Sequence, residues 1–433
     1  MIRIIRTWER IFDETFLRIK RRGKAFDNDL LTAVQGIVED VAKRGDDALF
    51  AYTAKFDGVK MDVRTVEASA DEIEAASGMV AEDDLRVLRL SAKRIESFHR
   101  KQEVSGWFAS DEEGIELGQR VLPLACIGIY APGGRAVYPS TVLMAAIPAR
   151  IAGVEEIVLV TPSKGGKVNP LIAAAARIGG VHRIFKIGGA QAIAALAYGT
   201  KSVPAVDKIV GPGNAYVVAA KKMVYGQVAI DMIAGPSEVI VIADETATAA
   251  YVAADLLAQA EHDVMAGAVL LTPDETLAGQ VAAELSKQLQ TLSRREVAEK
   301  SLTDFGALII TRDMEEAIGI ANNFAPEHLE LMVAAPDEAL KKIKNAGAVF
   351  LGGNTPEALG DYMAGPNHIL PTGGTARFSS PLGVYDFVKR TSILRFSRDA
   401  LQKYGRETAR AADLEGFDAH SRSVTIRITG ENP

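Results

Sequence analysis

Apolar residues recur at helical spacing from Leu30 to about Gln102, in stretches such as LLTAVQGIVEDVAKRGDDALFAYTAKF and LRVLRLSAKRIESFHR. That period predicts a largely helical N-terminal quarter. The pattern changes at Val121. From there short β-branched runs alternate with Ala-rich segments: CIGIY then STVLMAAIPARIAGV, EIVLVTP then PLIAAAARIGG, RIFKIGG then AQAIAALAYG, and KIVGPGN then AYVVAAKKMVYG. Four strand-then-helix units in a row predict a parallel sheet with right-handed crossovers. A second series starts after AGPSEVIVIADE and runs through VAADLLAQAEHD, GAVLLTP, GALIITR, MEEAIGIANNF and GAVFLG, so two α/β domains are the simplest reading. Beyond about Ser380 the chain is more polar, and RDALQKYGRETARAADLEGF reads as an exposed helical appendage.

Composition changes this picture little. At 433 residues the chain is too long for one ordinary core. A net charge of -7 with interspersed signs suggests neither a nucleic-acid partner nor a membrane surface. The one basic cluster, LRIKRRGK (17–24), reads as the solvated end of a helix. No apolar run reaches the ~18 residues of a membrane span, and the charged N-terminus MIRIIRTWERIF lacks the core of a cleaved signal. A cytoplasmic protein is the expectation. The single cysteine, Cys126, cannot form an intrachain disulfide and reads as a small core residue of its strand.

Candidate chemistry begins with glycine-rich turns after strands, in APGGR, KIGGAQ and IVGPGN. Such turns let an anion approach a helix N-terminus, but GPGNAY carries tyrosine where the third glycine of a dinucleotide fingerprint belongs. Packing of tight turns explains these glycines as well as a nucleotide does. The histidines divide. His99 and His182 sit beside arginines and read as surface residues. Gln259 and His262 are three apart and share a helical face, with Asp255 one turn earlier. His328 follows Pro-Glu at an expected helix start, where the adjacent Glu327 faces the same way only if the backbone turns. Asp361 and His368 flank the loop-forming YMAGPN, and no role follows for His368. Asp361, His262 and His420 supply the N and O donors a zinc-like ion accepts; by spacing alone, histidines satisfied by hydrogen bonds are the more frequent case, by about two to one.

The motifs GIYAPGGRAVYPSTVLMAAIPA, GGAQAIAALAYGT, VDKIVGPGNAYVVAAKK, IDMIAGPSEVIVIADE, DLLAQAEHD, APEHLEL, GDYMAGPNHILPT, DFVKRTS and EGFDAHSRSV, in this order, resemble the histidinol dehydrogenase family. They cover most of residues 120–395 and the tail. The resemblance implies zinc ligands at Gln259, His262, Asp361 and His420, with nitrogens of the substrate completing the coordination. It implies an acid-base pair at Glu327 and His328, substrate contacts including Ser237 and Glu415, and NAD contacts at Tyr130, Gln191 and Asn214. Its implied architecture is two incomplete Rossmann-like domains with parallel sheets, a helical segment at 1–25 and a C-terminal domain at 382–433 that swaps between the subunits of a homodimer. The first α/β domain is expected over 26–129 and 239–381, and the second, NAD-binding, over 130–238. The implied reaction is oxidation of L-histidinol through the aldehyde to L-histidine by NAD. A related zinc- and NAD-dependent dehydrogenase of another small polyol, such as a sulfonated propanediol, is the alternative. Glu415 and His420 favour histidinol. A non-catalytic metal- or nucleotide-binding protein has no need of the Glu327–His328 pair.

Overall fold

The computed structural model describes residues 2–23, 27–133 and 137–430. In chain order it forms β1 (Arg3–Arg6), α1 (Ile11–Arg21), α2 (Asn28–Arg44), α3 (Asp46–Asp57), α4 (Ala70–Ser77), α5 (Glu82–His99), β2 (Trp107–Ser110) and β3 (Ile115–Pro123). Next come β4 (Cys126–Tyr130), α6 (Pro139–Ala152), β5 (Glu156–Val160), α7 (Pro170–Gly179), β6 (Arg183–Phe185), α8 (Gly189–Tyr198), β7 (Lys208–Val210), α9 (Ala215–Val224) and β8 (Ala229–Ile230). The second series runs β9 (Glu238–Ala243), α10 (Ala249–Ala260), β10 (Gly267–Thr272), α11 (Glu275–Gln288), α12 (Arg295–Phe305), β11 (Gly306–Ile310), α13 (Met314–Phe324), β12 (His328–Met332), α14 (Pro336–Leu340), β13 (Ala348–Leu351) and α15 (Glu357–Tyr362). The chain closes with β14 (Val388–Phe396), α16 (Arg398–Leu414) and α17 (Asp418–Thr429).

Two compact units make up the chain, residues 1–102 with 124–387, and residues 103–123 with 388–433. The larger unit holds two all-parallel sheets, ordered β6-β5-β4-β7-β8 and β1-β11-β10-β9-β12-β13. The expected α/β class is met, and the four βα units of the first series fall where the pattern put them. Strands β9, β10 and β11 are buried on both faces, which is why they read as unbroken apolar runs. Ahead of the expected N-terminal helix, residues 3–6 add an edge strand against β11.

The helices of 28–99 pack on both faces of the five-stranded sheet. Val34, Ile37 and Leu49 pack with α8 and α9 on one face of the five-stranded sheet, and Ala92 and Ile95 pack with α6 and α7 on the other. The cause is legible in α8: seven of its ten residues are Ala, Leu or Ile, and its burial is nearly complete. A helix apolar on all sides needs a second layer over it. Strand β4 also belongs to the five-stranded sheet, so that sheet begins before residue 130.

The smaller unit gathers 103–123 with the C-terminal residues, because β14 pairs antiparallel with β3 along nine residues and β2 pairs with β3. Its helices α16 and α17 meet at Gly405, where an added Cβ would lie 2.5 Å from Ile428 Cδ1. Nothing on β14 or α17 is fully buried. Among the described residues, no helix is long and apolar enough to cross a membrane.

Candidate active site

A cleft of about 670 Å³ opens in the larger unit, a volume typical of small-molecule sites. One wall consists of segments that follow strands of the five-stranded sheet: Pro132 after β4, Gly211 to Asn214 after β7, and Asp231 after β8. The other consists of segments that precede strands of the six-stranded sheet: Ser237 before β9, Met265 before β10, and Glu327 with His328 at the start of β12. In the order β6-β5-β4-β7-β8 the chain moves outward one way from β4 and then the other way from β7. The first wall thus lies at a topological switch point beyond the carboxyl ends of parallel strands, the usual crevice for a dinucleotide.

On that wall Asn214 caps α9, its Oδ1 accepting from Tyr216 N at 3.1 Å and Val217 N at 3.2 Å. Gly211 has φ +109°, and a Cβ there would come within 2.2 Å of Tyr130 O. At Gly213 a Cβ would strike Val217. Close packing, against backbone at Gly211 and against the Val217 side chain at Gly213, therefore accounts for both glycines. The turn is braced by buried Lys221, whose Nζ donates to Gly211 O at 3.0 Å and pairs with Asp231; Asp231 Oδ2 accepts from Gly211 N at 2.8 Å. Tyr130 and Gln191 lie buried beside the cleft without lining it. The Tyr130 hydroxyl accepts from Gly189 N at 3.2 Å, while Gln191 Nε2 is buried without a hydrogen-bond partner. Gly134 and Arg135 of APGGR, like Lys24 of the basic cluster, fall outside the described residues.

The opposite wall is built from two helices and a strand. Helix α10 ends at Ala260, and His262 N donates to Gln259 O at 3.2 Å, a tight turn that keeps both side chains on the cleft side. Glu357 and Asp361 stand four apart, one turn of α15, and so share a face. His262, Glu357 and Asp361 bring ligand atoms within 4.8 Å of one another. Gln259 is fully buried, with one end of its amide 2.9 and 3.2 Å from the two Glu357 oxygens, where the nitrogen donates and the oxygen would meet only acceptors.

His328 begins β12 rather than the expected helix. The turn that lets Glu327 and His328 both reach the cleft is made at Ala325, whose φ is +55°. Glu238 then holds the pair through its backbone: its N–H donates to Glu327 Oε2 at 3.0 Å, and its carbonyl accepts from His328 Nδ1 at 3.2 Å. Arg22 locks Glu238 in turn, at 2.8 Å from its carboxylate, and donates further to the carbonyls of Ile19, Ser237 and Met265. So Arg22, expected on a solvated helix end, is a buried strut. With Nδ1 donating, Nε2 carries the lone pair. That atom is buried without a hydrogen-bond partner and lies 4.0 Å from Asp361 Oδ1.

The electrostatics of this pocket are strained in one direction. Burial pushes the Glu327 carboxyl well up, the Glu238 charge adding to it. Glu357 is also pushed well up, by burial first and then by Asp361, Glu330, Glu327 and Asp255. Asp361 is raised to about 7 by burial. Burial lowers His262, and lowers His328 to about 3, keeping both rings neutral. Buried carboxyls crowded around neutral imidazoles form a site that a divalent cation relieves, since a nearby positive charge favours every ionised carboxylate. The N/O donor set suits zinc.

The cleft thus gathers Asn214, Ser237, Gln259, His262, Glu327, His328 and Asp361. Glu415 and His420 belong to the smaller unit, exposed at the end of α16 and on α17. Sequence reasoning missed Glu357, Glu330 and Glu238. Their signals were present: an acid four residues before Asp361, and acids inside the apolar runs HLELM and EVIVIA, where a charge needs a reason. His99 was misjudged. It is fully buried, with Nδ1 2.7 Å from Gln102 Oε1. His368 bridges Asp361 O at 3.1 Å and Thr141 Oγ1 at 3.2 Å, fastening α15 to α6.

Comparison with known proteins identifies the family. The family profile described as histidinol dehydrogenase matches residues 20–428. The chain is 52% identical to the histidinol dehydrogenase of Syntrophotalea carbinolica over 428 residues, covering 99% of each chain. Identity to the Geobacter sulfurreducens histidinol dehydrogenase is 53% over 418 residues, with 96% of this chain and 97% of the relative covered. The crystal structure of histidinol dehydrogenase from Elizabethkingia anophelis superposes with a TM-score of 0.92 at 37% identity, covering 99% of this chain and 98% of that one.

Proposed function

The chain belongs to the histidinol dehydrogenase family of oxidoreductases, and from that premise we propose that it performs the zinc- and NAD-dependent four-electron oxidation of L-histidinol to L-histidine by way of the aldehyde. The observation that carries the reading is the convergence of partly buried His262 and Asp361 with buried Glu357 beside the free Nε2 of His328. In balance, one alcohol, two NAD⁺ and one water give one carboxylate, two NADH and three protons.

Gln259, His262 and Asp361 are the zinc ligands on this unit, and His420 is the fourth by family correspondence. Zinc held there would supply an anchor for the substrate's imidazole and amine. Asn214, Tyr130 and Gln191 would hold NAD, which would supply the hydride acceptor. His328 accepts the alcohol proton at Nε2. The imidazolium so formed is stabilised by the acids around the ring, Glu357 Oε1 at 3.6 Å, Glu327 Oε2 at 3.9 Å and Asp361 Oδ1 at 4.0 Å. Glu327 draws a proton from the water that hydrates the aldehyde, and Ser237 contacts the substrate. The deciding experiment counts NADH formed per L-histidinol consumed. Two supports this reading; one indicates a simple alcohol dehydrogenase.

A thiohemiacetal route is disfavoured by the state of the one cysteine. The Cys126 thiol is pushed up to about 12, by burial and then by Glu156 and Asp207, so almost no thiolate exists at neutral pH. Cys126→Ser is expected to leave both oxidation rates within about twofold of the parent. A folded but inactive serine variant would restore that route.

The proposal includes a homodimer in which Glu415 and His420 complete the site of the neighbouring subunit. The smaller unit exposes Trp107, Phe108, Leu394, Leu414 and Phe417, more apolar surface than a small isolated module keeps in water. Subunits with His328→Ala and subunits with His420→Ala should each be inactive alone. If the tail acts in trans, one site of every mixed dimer has both defects and the other neither. Random re-association of equal amounts then returns roughly a quarter of parent activity. No recovery after demonstrated subunit exchange would place the tail in cis.

A further inference from the structure

Gln259 is the weakest ligand of the proposed set. A primary amide is neutral, and its two ends are nearly isosteric, so half of its orientations turn an NH₂ toward the cation. An orienting partner must therefore be an acceptor placed on the far side. Glu357 meets that requirement. One end of the Gln259 amide lies 2.9 Å from Glu357 Oε1 and 3.2 Å from Oε2, and both residues are buried, at 0% and 2% exposure. A cation in the site favours the ionised form of Glu357; the carboxylate then accepts and the amide nitrogen donates, which leaves the Gln259 carbonyl oxygen as the atom available to the ion.

Glu357 is itself held from behind. Its backbone N–H donates to Glu330 Oε1 at 3.0 Å, and the Glu330 carboxyl is buried against Asp255, burial and then the Asp255 charge pushing it up. Asp255 sits one turn before Gln259 on α10, and Asp361 one turn after Glu357 on α15. Glu330 lies two residues after His328 and on the same face of β12. One buried chain of polar contacts, Asp255 to Glu330 to Glu357 to Gln259, thus ties together the three elements that carry Gln259, His328 and Asp361. None of these acids makes an ion pair with a lysine or arginine among the described residues, a costly arrangement that a fold keeps only where something is gained.

We propose that Glu357 is a positioning residue, which fixes the Gln259 amide with its oxygen toward the bound divalent cation and acts on the metal through Gln259. This rests on the zinc reading above, and it treats Glu357 as supporting the ligand set rather than joining it.

The test is a double-mutant cycle on zinc affinity, read by competition with a chromogenic chelator on the full-length protein without substrate. Glu357→Leu removes the acceptor and is expected to weaken zinc binding about 10- to 100-fold, as loss of an orienting partner does. Gln259→Leu should weaken it comparably. The double variant should lie within about twofold of the worse single one, because the second change removes a partner with nothing left to orient. Glu357→Gln keeps one accepting oxygen and should lose only about two- to fivefold. Additive losses mean that Glu357 contacts the ion itself and overturn the proposal, as does parent-like affinity in Glu357→Leu or Glu357→Gln. If Glu357→Leu does not fold, the near-isosteric Glu357→Gln completes the cycle: a loss that vanishes beside Gln259→Leu supports the proposal, and one that persists overturns it. A parent protein that takes up no zinc overturns both this inference and the metal reading; additive losses in a zinc-binding parent overturn this inference alone.

Discussion

His328→Ala should slow both oxidation steps by on the order of 10²–10⁴, the usual worth of a positioned general base. The expectation rests on which ring nitrogen is free. Glu238 O fixes Nδ1 as the donor at 3.2 Å, so the lone pair of Nε2 is the only basic site the ring has. Burial lowers the ring to about 3, and it stays neutral and able to accept a proton throughout the physiological range. The same burial makes it an intrinsically weak base. The three carboxyls within 4.0 Å of the ring must then supply the stabilisation of the imidazolium. Glu327→Gln removes one of them and also the group next to the hydration water. It should therefore impair oxidation of supplied aldehyde more than the first hydride transfer from the alcohol. Single-turnover measurement of the two half-reactions separates these effects. Equal losses in both steps for Glu327→Gln would remove its separate role in hydration, and a His328→Ala rate within tenfold of the parent would remove the histidine from its place as base.

Much of this site could be read before the fold was known, and the part that could not has a physical explanation. Local rules reached Gln259 and His262, because three residues on a helix are one face, and the tight turn after Ala260 preserves that relation. They reached the βα units of 126–224, because strand and helix periods differ enough to be counted. They failed on long-range packing. The pattern of 28–99 does not tell which sheet its helices cover, since an amphipathic stripe shows that a helix is covered and not by what. They failed also on Arg22, His99 and Glu357, whose burial comes from partners far away in the chain: Arg22 meets Glu238 across 216 residues. The acids inside HLELM and EVIVIA were visible as exceptions to an apolar pattern. Treating each exception as a question would have found Glu330 and Glu238, though not their partners.

Removing the metal should abolish turnover, and added Zn²⁺ should restore it, with an ease of removal that depends on pH in a direction the site fixes. Zinc needs its ligands deprotonated. Without the ion, the Asp361 carboxyl is raised to about 7 and the Glu357 carboxyl higher than its usual range, so protons compete for the acidic ligand as pH falls through about 7. His262 works the other way: burial lowers its pKa, so it stays in the neutral form that binds metal. The acids therefore dominate the pH dependence. Zinc affinity should fall by about tenfold per pH unit for each proton displaced once pH drops below about 7, and level off above it. Chelator treatment at pH 5.5 should strip the ion readily, and the same treatment at pH 8 slowly or not at all. Asp361→Asn removes both the charge and the competing proton; it should weaken binding at pH 8 and flatten the pH dependence. Full turnover in a preparation verified to be free of metal would sink the metal-dependent mechanism. A zinc affinity that does not change between pH 5.5 and 8 would remove Asp361 from the ligand set.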